Sequence, residues 1–330
     1  MRLGPLRLRA LTALGGTVLA LITVPAITTA EATSAAMPSP VLFGTAASSQ
    51  EELAGYETLA GKKVVGYRRY RNWDDRLFDP WQLQARDSSH IPFSSLKSSL
   101  NNGKVVSWSA IAAAAPGSSL HNTMVTHARE AKAYGKTVYL AFNHEPEATE
   151  SAKMGNAASF VAAWRKLHSV FESQGATNVV WVWTMTAWAF TDNSANAWYP
   201  GDSYVDAAAG DGYNWNKCRT ATGKWVSFST VFDGLRRWGT AHPSKQLMVW
   251  EFGSVEDQAT GGRKAAWWHD ARQTLRTSAW GQFSVVLSWN GRNYSDRRND
   301  CNFDFASSAS SKTAWVDLRQ DWFLSTWRVQ

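Results

Sequence analysis

The sequence predicts an α/β protein folded as one (β/α)8 TIM barrel, and three observations predict it. After residue 40, short apolar runs alternate with stretches of helical periodicity, the rhythm of βα units around a parallel sheet, and eight such runs can be counted. The segment after the first run, Gly44-Thr45-Ala46, is not the glycine-rich phosphate loop that usually follows the first strand of a doubly wound open sheet. Finally, 330 residues with 44% hydrophobic and 18% charged side chains suit one large core, with no second domain or low-complexity block after residue 41.

The eight strands are expected over 41–46, 64–68, 104–109, 137–143, 178–184, 204–210, 246–251 and 283–289. Helices are expected over 49–60, 93–100, 119–134, 156–173, 228–240, 262–276 and 313–326. Ser118 and Ser119 offer an N-terminal cap to the third of these, and Gly135 and Gly175 offer stops to the third and fourth. After the fifth strand, residues 193–202 are too few and proline-interrupted for a full helix, so that helix should be reduced to a turn.

Ahead of the barrel, Arg2, Arg7 and Arg9 precede an apolar run over 10–27 and the small residues Thr28, Thr29 and Ala30. Residues 1–30 therefore read as a secretory signal peptide, with a membrane anchor as the alternative, and 31–40 as a disordered leader into a catalytic domain over 41–330. Loss of the three arginines would lower the formal charge from +7 to +4, and the remaining Lys and Arg are interspersed with acids. That pattern argues against nucleic acid as a partner. In an exported chain the two cysteines, Cys218 and Cys301, are expected to form one disulfide; two buried free thiols are the alternative. The 19 tryptophans fit both a large core and stacking on sugar rings.

Chemistry in a barrel collects at the C-terminal ends of the strands. The fourth strand ends in His144-Glu145-Pro146-Glu147, and Pro146 is expected to hold Glu145 extended. The seventh strand ends in Trp250-Glu251-Phe252-Gly253. Two strand-end glutamates three strands apart should face one another across the mouth. One protonated carboxyl to protonate a leaving oxygen, and one carboxylate under an anomeric carbon, are what cleavage of a glycosidic bond requires. A separation near ~5 Å would mean retention of configuration. Proximity of the two negative charges would raise the pKa of the proton-bearing partner. Glu147 and Glu150 are rivals for the acid role and are read as solvated loop residues.

Asn143-His144-Glu145, the stretch from Trp198-Tyr199-Pro200-Gly201-Asp202 to Asp211-Gly212-Tyr213-Asn214-Trp215, and Trp250-Glu251-Phe252-Gly253 resemble the signature segments of glycoside hydrolase family 26, in the clan of retaining (β/α)8 hydrolases. The resemblance implies a β-mannanase-type enzyme, with Glu145 as acid/base and Glu251 as nucleophile. It also implies that His144 contacts sugar where the bond breaks, that Tyr213 hydrogen-bonds the nucleophile and that Trp289 floors the same subsite. Trp108, at the end of the expected third strand, and Trp215 are further sugar-stacking candidates. The sequence departs from the mannanase pattern at Pro146-Glu147-Ala148-Thr149 after the acid/base and at Ser109 after Trp108, positions that help choose the sugar.

The expected protein is thus a secreted, monomeric endo-β-glycanase acting on polysaccharide, most of all β-1,4-mannan, without cofactor or metal. Mixed-linkage β-glucanase, β-xylanase and transglycosylase readings share the same residues. A non-catalytic carbohydrate-binding barrel would keep the tryptophans and lose one carboxylate. Asp300, Asn302 and Asp304 alternate oxygens but lack the glycine and distal glutamate of a calcium loop. No nucleophile elbow, phosphate loop or histidine pair at metal-ligand spacing on an expected helix is present, and Asn293-Tyr294-Ser295 is a formal glycosylation sequon.

Overall fold

The computed structural model describes residues 39–85, 90–293 and 301–324. The signal peptide, all but the last two residues of the leader, Asp300 and the end of the sequon lie outside them.

The eight strands are β1 (Leu42–Ala46), β2 (Gly66–Asn72), β3 (Ile91–Lys97), β4 (Val138–Phe142), β5 (Val179–Thr186), β6 (Ala207–Asn214), β7 (Gln246–Ser254) and β8 (Phe283–Ser288). They form a closed barrel in chain order. All neighbours are parallel, and β8 returns to β1 with Leu42 opposite Val285 and Thr45 opposite Ser288. The helices are α1 (Gln50–Ala60), α2 (Pro80–Ala85), α3 (Trp108–Ala112), α4 (Ser119–Tyr134), α5 (Ala157–Ser173), α6 (Ala187–Thr191), α7 (Phe228–Ala241), α8 (Arg263–Leu275) and α9 (Ala309–Gln320).

Helix starts follow short polar side chains that accept from orphan backbone N–H groups: Ser49 for α1, Ser118 for α4, Asn156 for α5, Ser227 for α7 and Ser308 for α9. Gly61 and Gly135 end α1 and α4 in the left-handed conformation. The five-residue α6 is the reduced helix expected after the fifth strand.

One core fills the barrel and another lies between barrel and helices. The interior is packed by Leu42, Phe93, Tyr139, Ala141, Val182, Met248, Trp250, Val285 and Leu287, together with the small Ala207 and Ala209. The outer core holds Trp164, Trp183, Trp267, Trp268 and Trp315, so many of the tryptophans are structural. The sparse β6 has a packing reason, since a Cβ on Gly212 would lie 2.5 Å from Val231 and 2.9 Å from Ala187.

The third strand differs from expectation. Residues 93–100, read as helix, mostly form β3, and 104–109 form no barrel strand. Val105 instead bridges back to Ser99, and Ser107 caps α3. The cause is tertiary: Ser94, Ser95 and Ser98 are buried, and Ser95 accepts from Arg68 (3.0 Å) and from the Trp250 indole (3.0 Å). A strand interrupted by Pro92, Ser94 and Ser95, with Ser95 on the inward face beside Phe93, lacks the apolar run that pattern reading seeks. β2 and β6 also begin and end later than expected, and α9 starts earlier, at its Ser308 cap.

Candidate active site

A β-bulge aims the second glutamate. Gly210 pairs with Val249, but Asp211 pairs with Glu251, so Trp250 is an extra residue in β7; the pairing with β8 shows the same slip between Val249 and Phe252. Met248 and Trp250 point into the barrel while Phe252 points to the helices, which inverts the strand's alternation and turns Glu251 inward.

Glu251 is 8% exposed and fully hydrogen-bonded. Its Oε1 accepts from Arg68 Nη1 at 2.6 Å and from the Tyr70 hydroxyl at 2.7 Å, and its Oε2 accepts from the Tyr213 hydroxyl. Arg68 and Tyr70 are two residues apart on β2 and so share a face. Tyr213 comes from the end of β6. These contacts stabilise an ionised carboxylate and fix its direction.

Glu145 leaves β4 through two left-handed residues, with φ of 44° at Asn143 and 51° at Glu145. The expectation that Pro146 holds Glu145 extended is therefore corrected. Asn143 is held by Ser98, accepting from its N–H and donating to its Oγ (both 3.0 Å), and the Glu145 N–H donates to Thr184 O at 3.0 Å. Positive φ in non-glycine residues is uncommon and recurs where surrounding structure enforces it at functional sites. Burial first, and then the Glu251 charge, push the Glu145 carboxyl up to about 8, so it keeps its proton at neutral pH.

His144 lies against Tyr70, with ring centroids 5.5 Å apart. Burial, reinforced by the Arg68 and Lys97 charges, holds its imidazole well below the usual range, so the ring is neutral. Trp289 is half-buried and meets the Tyr213 ring edge-on at 5.8 Å. Trp215 is half-buried, packs edge-on to Tyr213 and Phe303, and carries the Arg219 guanidinium 4.4 Å above its ring. Cys218 and Cys301 form the expected disulfide, with Cα atoms 5.4 Å apart, joining the β6–α7 and β8–α9 connections.

Trp108 is not a sugar platform. It is fully buried at the start of α3, packed against Phe160 and Trp198 in the outer core. Glu147 is not solvated either: one carboxylate oxygen accepts from the Thr186 N–H and hydroxyl, both at 2.7 Å, while the other is buried. Glu150 is exposed as expected.

Sequence reading missed Arg68 and Tyr70. Their signal was a strand, Gly66–Asn72, carrying Arg68, Arg69 and Arg71 where apolar residues are expected. Asp211, seen only as part of a motif, is the other interior acid. Its carboxyl is fully buried, lies 3.7 Å from Arg68 Nη1 and has no hydrogen bond among the described residues. Burial, followed by the Glu251 charge, pushes its carboxyl well above the usual carboxylate range. Ligand atoms of His144, Asp211 and Glu251 lie within 4.8 Å of one another, but the Arg68 guanidinium occupies the cation's place beside both carboxyls.

A closed barrel with glutamates at the ends of its fourth and seventh strands, one proton-bearing and one held by cationic and hydroxyl donors, has the architecture of the (β/α)8 glycoside hydrolases. The chain is similar to glycosyl hydrolase family 26. The family's sequence model matches residues 153–241, which include 198–202 and 211–215 and end short of both glutamates. Endoglucanase H of Acetivibrio thermocellus is 28% identical over 247 residues, which are 70% of this chain and 25% of that protein, so the chain spans about a quarter of its relative's length. Among solved structures, GH26C from Muricauda sp. superposes with a TM-score of 0.62 at 12% identity, covering 87% of each chain. The modular endo-β-1,4-mannanase of Cellulomonas fimi gives 0.61 at 13% identity, covering 86% of this chain and 71% of that one. The family 26 domain of a Prevotella bryantii endo-β-mannanase/endo-β-glucanase gives 0.57 at 15%, covering 86% and 90%. At such identities the likeness is one of fold.

Proposed function

We propose that the protein is a secreted, retaining endo-β-glycanase that cleaves polysaccharide by double displacement, with Glu145 as acid/base and Glu251 as nucleophile. The observation that supports this most is the division of labour between the two carboxyls: Glu145 retains a proton to about pH 8, while Glu251 accepts from Arg68, Tyr70 and Tyr213. In the first step Glu251 attacks the anomeric carbon as the Glu145 proton passes to the departing oxygen, and a glycosyl ester forms. Esterification removes the charge that, after burial, does most to hold the Glu145 proton. Glu145 then takes a proton from water as that water opens the ester. Neutral His144 is placed to exchange hydrogen bonds with a sugar hydroxyl, and Trp289 offers an apolar face to the ring.

The family resemblance favours β-1,4-mannan as substrate. A β-glucan is the second reading, favoured by a relative of 28% identity being named an endoglucanase. Export is supported by the N-terminal pattern and by the disulfide. The test is Glu251→Ala assayed on mannan, mixed-linkage glucan and xylan. Turnover should disappear, and azide should restore a product of inverted configuration. Undiminished cleavage by the variant would remove Glu251 from the mechanism, and product lengths from the wild type read internal against end-wise cleavage.

A further inference from the structure

A second cavity opens beside the catalytic centre, on the β5–β6 arc of the barrel mouth. It encloses about 400 Å³ and shares Tyr213 with the site that holds Glu251. Trp188, the second residue of α6, lines it and is 40% exposed, one of four large exposed hydrophobic side chains among the described residues. An indole left in water on the wall of a pocket is suited to the apolar face of a pyranose.

The lining is also cationic. Arg219 and Lys224 belong to it, no carboxylate does, and among the described residues neither cation is ion-paired. The Arg219 guanidinium carbon sits 4.4 Å from the centre of the Trp215 ring, whose own position is set by edge contacts to Tyr213 and Phe303. A guanidinium held against an indole ring has the fork of N–H groups that can pair two hydrogen bonds with a carboxylate. The segment is braced at both ends: Cys218, next to Arg219, is bonded to Cys301, and the Val226 N–H donates to Asn214 Oδ1 at 3.0 Å. At its bend, a Cβ on Gly223 would lie 1.8 Å from Asn216 O, so the turn closes tightly on itself. A wall built in advance loses little entropy on binding.

We propose that this cavity is a subsite for a uronate-type unit of the polysaccharide, a pyranose stacked on Trp188 whose carboxylate is received by Arg219 and Lys224. The inference rests on the glycanase reading of the adjoining centre and adds selection for acidic glycans to it.

The test is calorimetric and needs no turnover. Glu251→Gln, or Glu145→Gln should the first not fold, is titrated with β-1,4-mannan and mixed-linkage glucan tetrasaccharides and with the same sugars oxidised to a carboxylate at one C6. An acidic sugar should bind about tenfold more tightly than its neutral parent. Adding Arg219→Ala and Lys224→Ala should abolish the preference, Trp188→Ala should weaken acidic and neutral sugars alike, and the preference should shrink as salt rises. Equal binding of acidic and neutral sugars, or a preference that survives loss of both cations, would overturn the assignment. Failure of the wild type to cleave any polymer would count against the glycanase reading separately, because binding is read in variants that do not turn over.

Discussion

At the scale of single residues, the chemistry is a matter of where one proton sits. Glu145 holds its proton to about pH 8, so kcat/KM should fall about tenfold for each pH unit above that value. A pH–rate profile that instead fell from pH 5 upward would assign the proton to another group. The same shift acts on stability. Its folded value lies above the ordinary 4.5, so between 4.5 and about 8 the unfolded chain ionises while the folded chain does not. The contribution of this group is fully present below pH 4.5 and is lost as pH rises through 8. Glu145→Gln should therefore melt above the wild type by a margin that grows across that window, measured by thermal denaturation at successive pH values. Arg68 is the other decisive residue, being the counter-ion of Glu251 and the neighbour of Asp211. Arg68→Met should cost about 3–5 kcal/mol by leaving a buried carboxylate unpaired. It should also lower kcat by more than about a hundredfold, with a smaller change in KM, because the guanidinium orients Glu251, the proposed nucleophile, and is shielded from substrate by burial.

At the scale of elements, one inserted residue and one serine-rich strand make the site. The bulge at Trp250 turns Glu251 into the mouth, and β3 supplies Ser95 to anchor both Arg68 and Trp250. Neither is legible in sequence, since a bulge leaves no mark in composition and Ile91–Lys97 has no apolar alternation until the interior polar network is known. The misplaced third strand carried Trp108 with it: at the end of a barrel strand it would face sugar, and at the start of α3 it faces Phe160 and Trp198. Trp108→Ala should lower stability by about 3–5 kcal/mol in denaturant titration and leave KM essentially unchanged. A large rise in KM with stability intact would restore it to the binding surface.

At the scale of the whole molecule, the connections over the barrel mouth are tied together. The Cys218–Cys301 bridge closes a loop of 83 residues, and Lys264, buried on α8, donates to Asp304 O at 2.6 Å and Ser307 Oγ at 2.9 Å in the same region. At the other end of the barrel wall, Arg319 on α9 donates to the backbone carbonyls of Phe43 and Lys63, locking the last helix to the first strand. Replacing both cysteines by serine should lower stability by about 4–5 kcal/mol in the chain-entropy account of a loop this long, read as a fall in melting temperature. An unchanged melting temperature would mean that the bridge constrains little that packing does not already hold.

The amino-acid sequence by itself determined the barrel, seven of its eight strands in place or shifted by a few residues, the glutamate pair, and the tyrosine and cysteine partners. Those features are written locally, as apolar runs, caps and short motifs at strand ends. Tertiary structure alone decided which way the side chains face. Arg68, Tyr70 and Asp211 come from β2 and β6, and only barrel closure brings them to Glu251 on β7. The proton on Glu145 is likewise decided there, because burial and the charge of a residue 106 positions away along the chain exist only once the strands have met.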